Sequence, residues 1–404
     1  MKKVLIASTA LVAATVFSAG AASASEKIKL NLGGFSKWWV VGTWNDDTFQ
    51  ANHNGAGAQG DYNSVDVKGD NEVYFGGSTT LDNGLQVGID IQLEAGGNNN
   101  TNGAVTNDSN DMIDESYVWL AGGFGKVIVG SKNNGTYLIH NTAPDAAGNW
   151  NEGGIMTGGF SIVKPTSVQT ITPGGNGGNT TAIVTDNDAE GITYVTPTFY
   201  GFTFGASYKP NSVEDTRAQQ QLNATAGGTA TTASEIYGAG VLYANTFGGV
   251  GVKADFGWAT YEAESYRGTL VSRGKVGVNE YSAGANLSYA GFTLGGSYRQ
   301  VIADTDATAA ADVDLSGNAW DVGLQYASGP YAVSLAYFKS KVEDSVANQN
   351  EDEIEFYQLS GKYNLGAGVD ALASIGYADF AGEQSRPQDN NSGWVAMTGL
   401  SLAF

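Results

Sequence analysis

The sequence predicts an all-β protein, a closed antiparallel transmembrane β-barrel of about sixteen strands. Three observations predict it. Apolar and polar residues alternate at period two along most of the chain; short turns alternate with long polar loops; and a regular strand runs up to the final residue, Phe404. Lipid offers no partner to backbone N–H and C=O groups, so such a sheet must close on itself, last strand against first.

Before the first strand stands a leader. Met1-Lys2-Lys3 is a positive n-region, Val4 to Phe17 is largely apolar, and Ala22-Ser23-Ala24 has the small-x-small pattern of a cleavage site. Residues 1–24 are thus expected to be a secretory signal peptide, and 25–404 a single barrel domain. Losing Lys2 and Lys3 moves the formal charge from −21 to about −23. The chain contains no cysteine, which excludes disulfides and thiolate metal sites in an exported fold.

An opening strand is predicted near 28–44. The clearest hairpin follows over 72–95, with Asn83-Gly84 as its tight turn. Val73, Phe75, Thr79, Leu81, Leu85, Val87, Ile89, Ile91 and Leu93 share one face. Glu72, Tyr74, Gln86, Asp90, Gln92 and Glu94 share the other. Further strand pairs are expected at 113–121 and 126–132, 191–198 and 202–209, 235–247 and 250–261, and 280–290 and 292–303. The last are 318–327 and 331–341, then 353–365 and 369–380, with a closing strand at 393–404. Most run about 9–13 residues, which suits a tilted strand crossing a bilayer.

The turns inside these pairs are short and rich in glycine, whereas 45–69, 96–112, 133–190, 211–234 and 381–392 are long and polar. Loops sorted by side point to a membrane barrel with periplasmic turns and extracellular loops. Phe124, Phe199, Tyr200, Phe202, Phe247, Tyr289, Phe292, Tyr326, Tyr331 and Tyr363 flank the short turns and read as an interfacial girdle. In the closing strand, Trp394, Ala396, Thr398, Leu400, Leu402 and Phe404 are expected to face lipid or a neighbouring subunit.

Three stretches resemble the Gram-negative general porins. SYVWLAGGFGKVIVG at 116–130 is similar to the strand–turn–strand before that family's constriction loop. GITYVTPTFYGFTFGASY at 191–208 is similar to its sixth and seventh strands, and the terminal Phe404 looks like the signal read by the outer-membrane insertion machinery. The resemblance implies a sixteen-stranded, trimeric diffusion channel of the outer membrane whose third loop, here about 133–190, folds into the pore. It also implies an acidic segment on that loop, for which Asp145 and Glu152 are the matching residues. Within the loop, 165–188 looks like an insertion.

The basic side departs from the family. Ile128 and Ser131 stand where the resemblance implies arginines, with Lys132 following. The plausible wall cations are Lys37, Lys132, Lys209, Lys253 and Arg299, although Lys37 can instead snorkel at a rim. By phase, Glu72, Asp90, Glu94 and Asp255 point inward, which predicts a weakly cation-selective pore.

Other features read as bland. His53 and His140 fall in loops and are expected to be solvated, as is the run Glu351-Asp352-Glu353. GGNGG at 174–178 lacks the Lys-Ser/Thr of a phosphate loop. No nucleophile–base pairing or metal-spaced cluster is visible, so neither an enzyme nor a cofactor is expected beyond divalent cations held loosely at acidic loops. The expected partners are outer-membrane lipid and lipopolysaccharide, with no nucleic acid. Two alternatives stand beside the passive channel. One is a sugar- or anion-selective channel, which needs an aromatic track or an arginine ladder; the other is a secreted β-rich surface protein without a pore.

Overall fold

The computed structural model describes residues 27–52, 61–95, 113–148, 162–171, 180–186, 188–212, 233–263, 265–266, 269–270, 276–303, 316–345 and 348–404. The first strands are β1 (Asn31–Asn45), β2 (Val65–Thr80), β3 (Gln86–Glu94), β4 (Ile113–Gly122), β5 (Gly125–Ser131) and β6 (Glu190–Val195). They are followed by β7 (Phe202–Asn211), β8 (Ala233–Phe247), β9 (Val250–Ala263) and a small hairpin, β10 (Ser265–Tyr266) with β11 (Thr269–Leu270). The chain continues through β12 (Val276–Tyr289), β13 (Phe292–Ala303), β14 (Gly317–Ser328), β15 (Tyr331–Ser345), β16 (Asn348–Gly366), β17 (Val369–Ala381) and β18 (Asn390–Ala403).

All but β10 and β11 form one closed barrel of antiparallel neighbours. The seam joins β1 to β18, from Phe35 opposite Ala403 to Asn45 opposite Gly393. Phe404 extends it by one step: its N–H donates to Gly34 O (3.1 Å) and its carbonyl accepts from Gly34 N (3.0 Å). Gly34 holds φ 155°, and a Cβ there would strike Glu72 O and crowd the Phe404 ring. Closure of the first strand on the last thus leaves the described barrel without an open edge strand, as lipid requires.

The outer face carries two aromatic belts. The predicted girdle residues are all exposed, and several rings touch: Phe202–Tyr243 at 4.8 Å, Phe292–Tyr326 at 4.6 Å and Tyr331–Tyr363 at 4.8 Å. Towards the long loops a second belt runs through Tyr208–Tyr237 (4.9 Å), Trp320–Tyr337 (4.9 Å), Tyr337–Tyr357 (4.7 Å) and Tyr377–Trp394 (5.1 Å). From Tyr326 to Trp320 is about 20 Å along the strand. Val322, Leu324, Val333, Leu335, Leu359 and Ile375 are exposed between the belts. On β18 the row Trp394, Leu400, Leu402 and Phe404 is exposed while Val395 and Met397 are buried.

Several strands run further than the alternation predicts. β2 begins at Val65, and β15 and β16 continue to Ser345 opposite Asn348. The run at 351–353 is therefore not a solvated loop end. Lys341 Nζ lies 2.7 Å from both Glu351 and Glu353, Lys339 Nζ lies 2.8 Å from Glu353 and 2.6 Å from Glu355, and Asp352 is buried on the inner face. Above the membrane a sheet face needs no apolar row, so cross-strand ion pairs support the hairpin there.

Candidate channel interior

The third long connection, between β5 and β6, turns inward, and its described stretches, 132–148, 162–171, 180–186 and 188–189, lie along the inner barrel wall. Strand phase fixes its side. Phe204, Phe256, Leu294 and Leu324 are exposed outside, while the adjacent Gly205, Gly257, Gly295 and Gly323 face loop atoms. The outgoing leg passes β7 at Gly135, β9 at Thr136 and β12 at Asn141, where a Cβ on Gly284 would collide with the Asn141 carbonyl oxygen. It continues to β13 at Pro144, 3.0 Å from a Cβ built on Gly295. Glycine on the inner wall is thus a seat for close backbone approach.

Wall side chains fasten this leg. Asp255 on β9 accepts from Asn141 N (2.8 Å) and Asn141 Nδ2 (2.8 Å), and its other oxygen pairs with His140 Nδ1 at 2.7 Å. Ala143 N–H donates to Asp321 (3.2 Å) on β14, and Ala146 N–H to Ser334 Oγ (2.8 Å) on β15. Asp145 accepts from the same Ser334 hydroxyl at 3.1 Å. Lys37 Nζ on β1 donates to Gly148 O at 3.4 Å.

The stretch 162–171 then lies against β16, β18 and β1. Val163 N–H donates to Asn45 (3.0 Å), its carbonyl accepts from Asn391 Nδ2 (2.6 Å), and Gln169 N–H donates to Asp352 (2.9 Å). Ile162, Val168 and Ile171 are buried in one apolar cluster with Trp39, Phe338, Ile354, Phe356, Phe380 and Met397. Burying such side chains is worth about 1.5–3 kcal/mol each.

The return leg crosses β13, β12 and β7. Arg299 gives Nε (2.9 Å) and Nη2 (2.5 Å) to Glu280 Oε2, Glu280 also accepts from Tyr261 (2.8 Å) and Thr185, and Arg299 Nη1 reaches Thr180 O at 3.4 Å. Lys209 lies 3.5 Å from Asp186 and donates to Ala189 O (2.8 Å) and Lys132 O (2.5 Å). Asp186 accepts from Asn134 Nδ2 (2.6 Å), and burial pushes its carboxyl above the usual range.

These contacts correct three expectations. Lys209 and Arg299 face inward but are 0% exposed beneath the loop, so they hold it rather than line water. Asp255 is likewise a loop ligand. His140 is not solvated: its side chain is 3% exposed, and its Nε2 lies 3.4 Å from Thr181 on the return leg. Glu152 and His53 lie outside the described residues. The segment that looks like an insertion contributes Val168, Ile171, Thr181, Ile183 and Asp186 to the packed interior.

Among the described residues, the inner wall least covered by the loop is the sector β1–β5. Lys37, Asp70, Glu72, Asp90, Glu94, Lys126 and Lys132 are partly exposed there, and Lys253 on β9 is exposed near a short turn. Lys37 lies 3.9 Å from Asp70, and Lys132 sits 2.5 Å and 2.6 Å from the two oxygens of buried Glu115. Glu72 stands opposite Glu94 in register, and Asp90 accepts from Trp119 Nε1 at 2.8 Å. Glu115 is missing from the sequence expectations; it stands opposite Gln92, just before the β3–β4 register shifts, and meets Lys132, 17 positions on, where the β4–β5 ladder ends at Ser116 opposite Ser131.

A closed barrel, lipid-fitting outside and polar along an open inner sector, with its third loop packed within, defines an outer-membrane channel. The chain belongs to the Gram-negative porin family, whose profile it matches over residues 7–383. Among solved structures, an anion-selective porin from Comamonas acidovorans is similar at 18% identity and TM-score 0.60, covering 94% of this chain and 100% of that one. OmpF of Salmonella typhi in complex with daunomycin gives 16%, 0.59, 93% and 97%. OmpT of Vibrio cholerae in its trimer form gives 12%, 0.57, 94% and 100%. At these identities the likeness is one of fold. A search of the curated proteins returns no match.

Proposed function

We propose that the protein is a passive, water-filled channel for small hydrophilic solutes and ions, weakly cation-selective, exported by its 1–24 leader and assembled as a homotrimer. The observation that carries the selectivity is the charge balance of the open sector. Four carboxylates, Asp70, Glu72, Asp90 and Glu94, share that wall with two ammonium groups, Lys37 and Lys126, whereas Lys132 is matched to Glu115 and the inward cations Lys209 and Arg299 are sealed under the loop. Carboxylates along a narrow, low-dielectric path raise the local cation concentration. The family and the trimer form of one fold relative support the homotrimer. The outward network of Lys339, Lys341, Glu351, Glu353 and Glu355 beyond the second aromatic belt suits lipopolysaccharide and its divalent counterions.

The test is the reversal potential of the purified channel under a KCl gradient. A cation-sign potential is expected. An anion-sign potential would refute the cation reading and favour the alternative of an anion-selective channel, which the Comamonas relative is by description.

A further inference from the structure

The open charges are sorted along the pore axis. Asp70, Glu72 and Glu94 lie toward the long-loop ends of β2 and β3. Lys126 is the second residue of β5, and Lys253 the fourth of β9, each just past a short turn. Lys126 is held over the wall, its ammonium 4.6 Å from the Trp119 ring and 5.9 Å from Tyr117. Such contact fixes the cation, and Asp90, bonded to the same Trp119, is the carboxylate that acts on it most, from the inner side of the collar. Lys253 lies in register between Ala244 and Asn286, so neither neighbouring strand sets a carboxylate beside it. Lys362 near the same mouth is offset by Asp370 at 3.8 Å, and Asp90 bonds Trp119 between the two charge zones.

We propose that Lys126 and Lys253 form a basic collar at the periplasmic mouth, below an acidic extracellular half, so that the pore is a bipolar channel that rectifies ion current. The inference rests on the channel reading above. With the extracellular side positive, cations enter through the acidic half while anions enter through the collar, and both accumulate where the zones meet. With the opposite voltage both are drawn away and the junction is depleted.

The test is current–voltage recording of the wild-type channel in planar bilayers of known orientation. At 0.1 M KCl, where the screening length is about 10 Å, current is expected to be about 1.5-fold larger with the extracellular side positive. At 1 M, where the length is about 3 Å, the ratio should fall to about one. Lys126→Gln with Lys253→Gln should bring the ratio at low salt clearly toward one and move the reversal potential further to the cation side. Because the chain has no cysteine, Lys253→Cys offers a unique thiol in the folded, conducting channel. A positively charged methanethiosulfonate added from the periplasmic side should restore rectification, and a negatively charged one should lower it further. A conducting channel with symmetric current at 0.1 M, or rectification unchanged in the double variant, overturns the collar and leaves the channel reading intact. Absence of conductance overturns both.

Discussion

Gly284→Ala is a one-carbon test of how the loop is seated. Gly284 lies on the inner face of β12, and a Cβ there would sit well inside contact distance of the Asn141 carbonyl oxygen and 2.9 Å from Asp255 Oδ2. β12 is hydrogen-bonded to β9 and β13 along its length, so the wall is held and the loop must move. Moving it breaks the two bonds from Asn141 to Asp255 and the His140–Asp255 contact. Hydrogen bonds to a charged group contribute about 1.5–3 kcal/mol each, so losing two costs the docked leg about 3–5 kcal/mol after relaxation. That raises its undocked fraction more than about a hundredfold. The assay pairs proteinase K digestion of the folded channel with single-channel current noise. Gly277→Ala on the same strand is the control, since a Cβ there meets nothing within 4 Å. Faster cleavage within 133–148 and noisier current are expected for Gly284→Ala alone. If the two variants behave alike, the seating argument is wrong.

Arg299→Met should strip Glu280 of its partner in a buried site and destabilise the return leg by about 3–5 kcal/mol; adding Glu280→Leu should recover much of the loss in heat-denaturation gels. Asp186 predicts a pH effect with a definite sign. Its pKa is raised by burial, so the stability it contributes is present while it is protonated and fades as pH rises through that elevated value. Protease resistance of the loop should therefore fall with rising pH in the wild type and stay flatter in Asp186→Asn; equal slopes would count against it. Deleting Phe404 removes both of its bonds to Gly34 and should lower outer-membrane yield severely, while the channels that do assemble conduct as wild type. Normal yield would contradict that role.

The strands were legible because lipid imposes on the outer face the period-two pattern that a sheet already has. Val322, Leu324, Val333 and Leu335 could be neither polar nor out of phase without exposing charge to hydrocarbon. Where water replaces lipid the constraint lapses, which is why the upper ends of β2, β15 and β16 escaped the alternation. Inside, phase gave direction but not surroundings. Arg299, Lys209 and Asp255 point inward as their positions imply, yet whether they meet water or a loop depends on partners far away in sequence: 115 positions for His140 and Asp255, 119 for Arg299 and Thr180. One readable signal was present. Gly205, Gly257, Gly284 and Gly295 occupy inward positions on β7, β9, β12 and β13, marking where another backbone approaches.

The apolar cluster beneath residues 162–171 bears on any attempt to widen the pore. Phe338 and Phe356 stack at 5.7 Å, Phe380 meets Phe356 at 5.7 Å, and all three face the barrel axis with the loop laid over them. Excising the loop would not uncover a hydrophilic pipe; it would leave an oily patch on the inner wall. Water wets such a surface poorly, so the trimmed barrel would gain cross-section but carry an exposed apolar strip along β15–β17 that costs stability and holds apolar solutes. A wider conduit here requires polar replacements at Phe338, Ile354, Phe356 and Phe380 together with the loop deletion, because loop and wall form one folded interior.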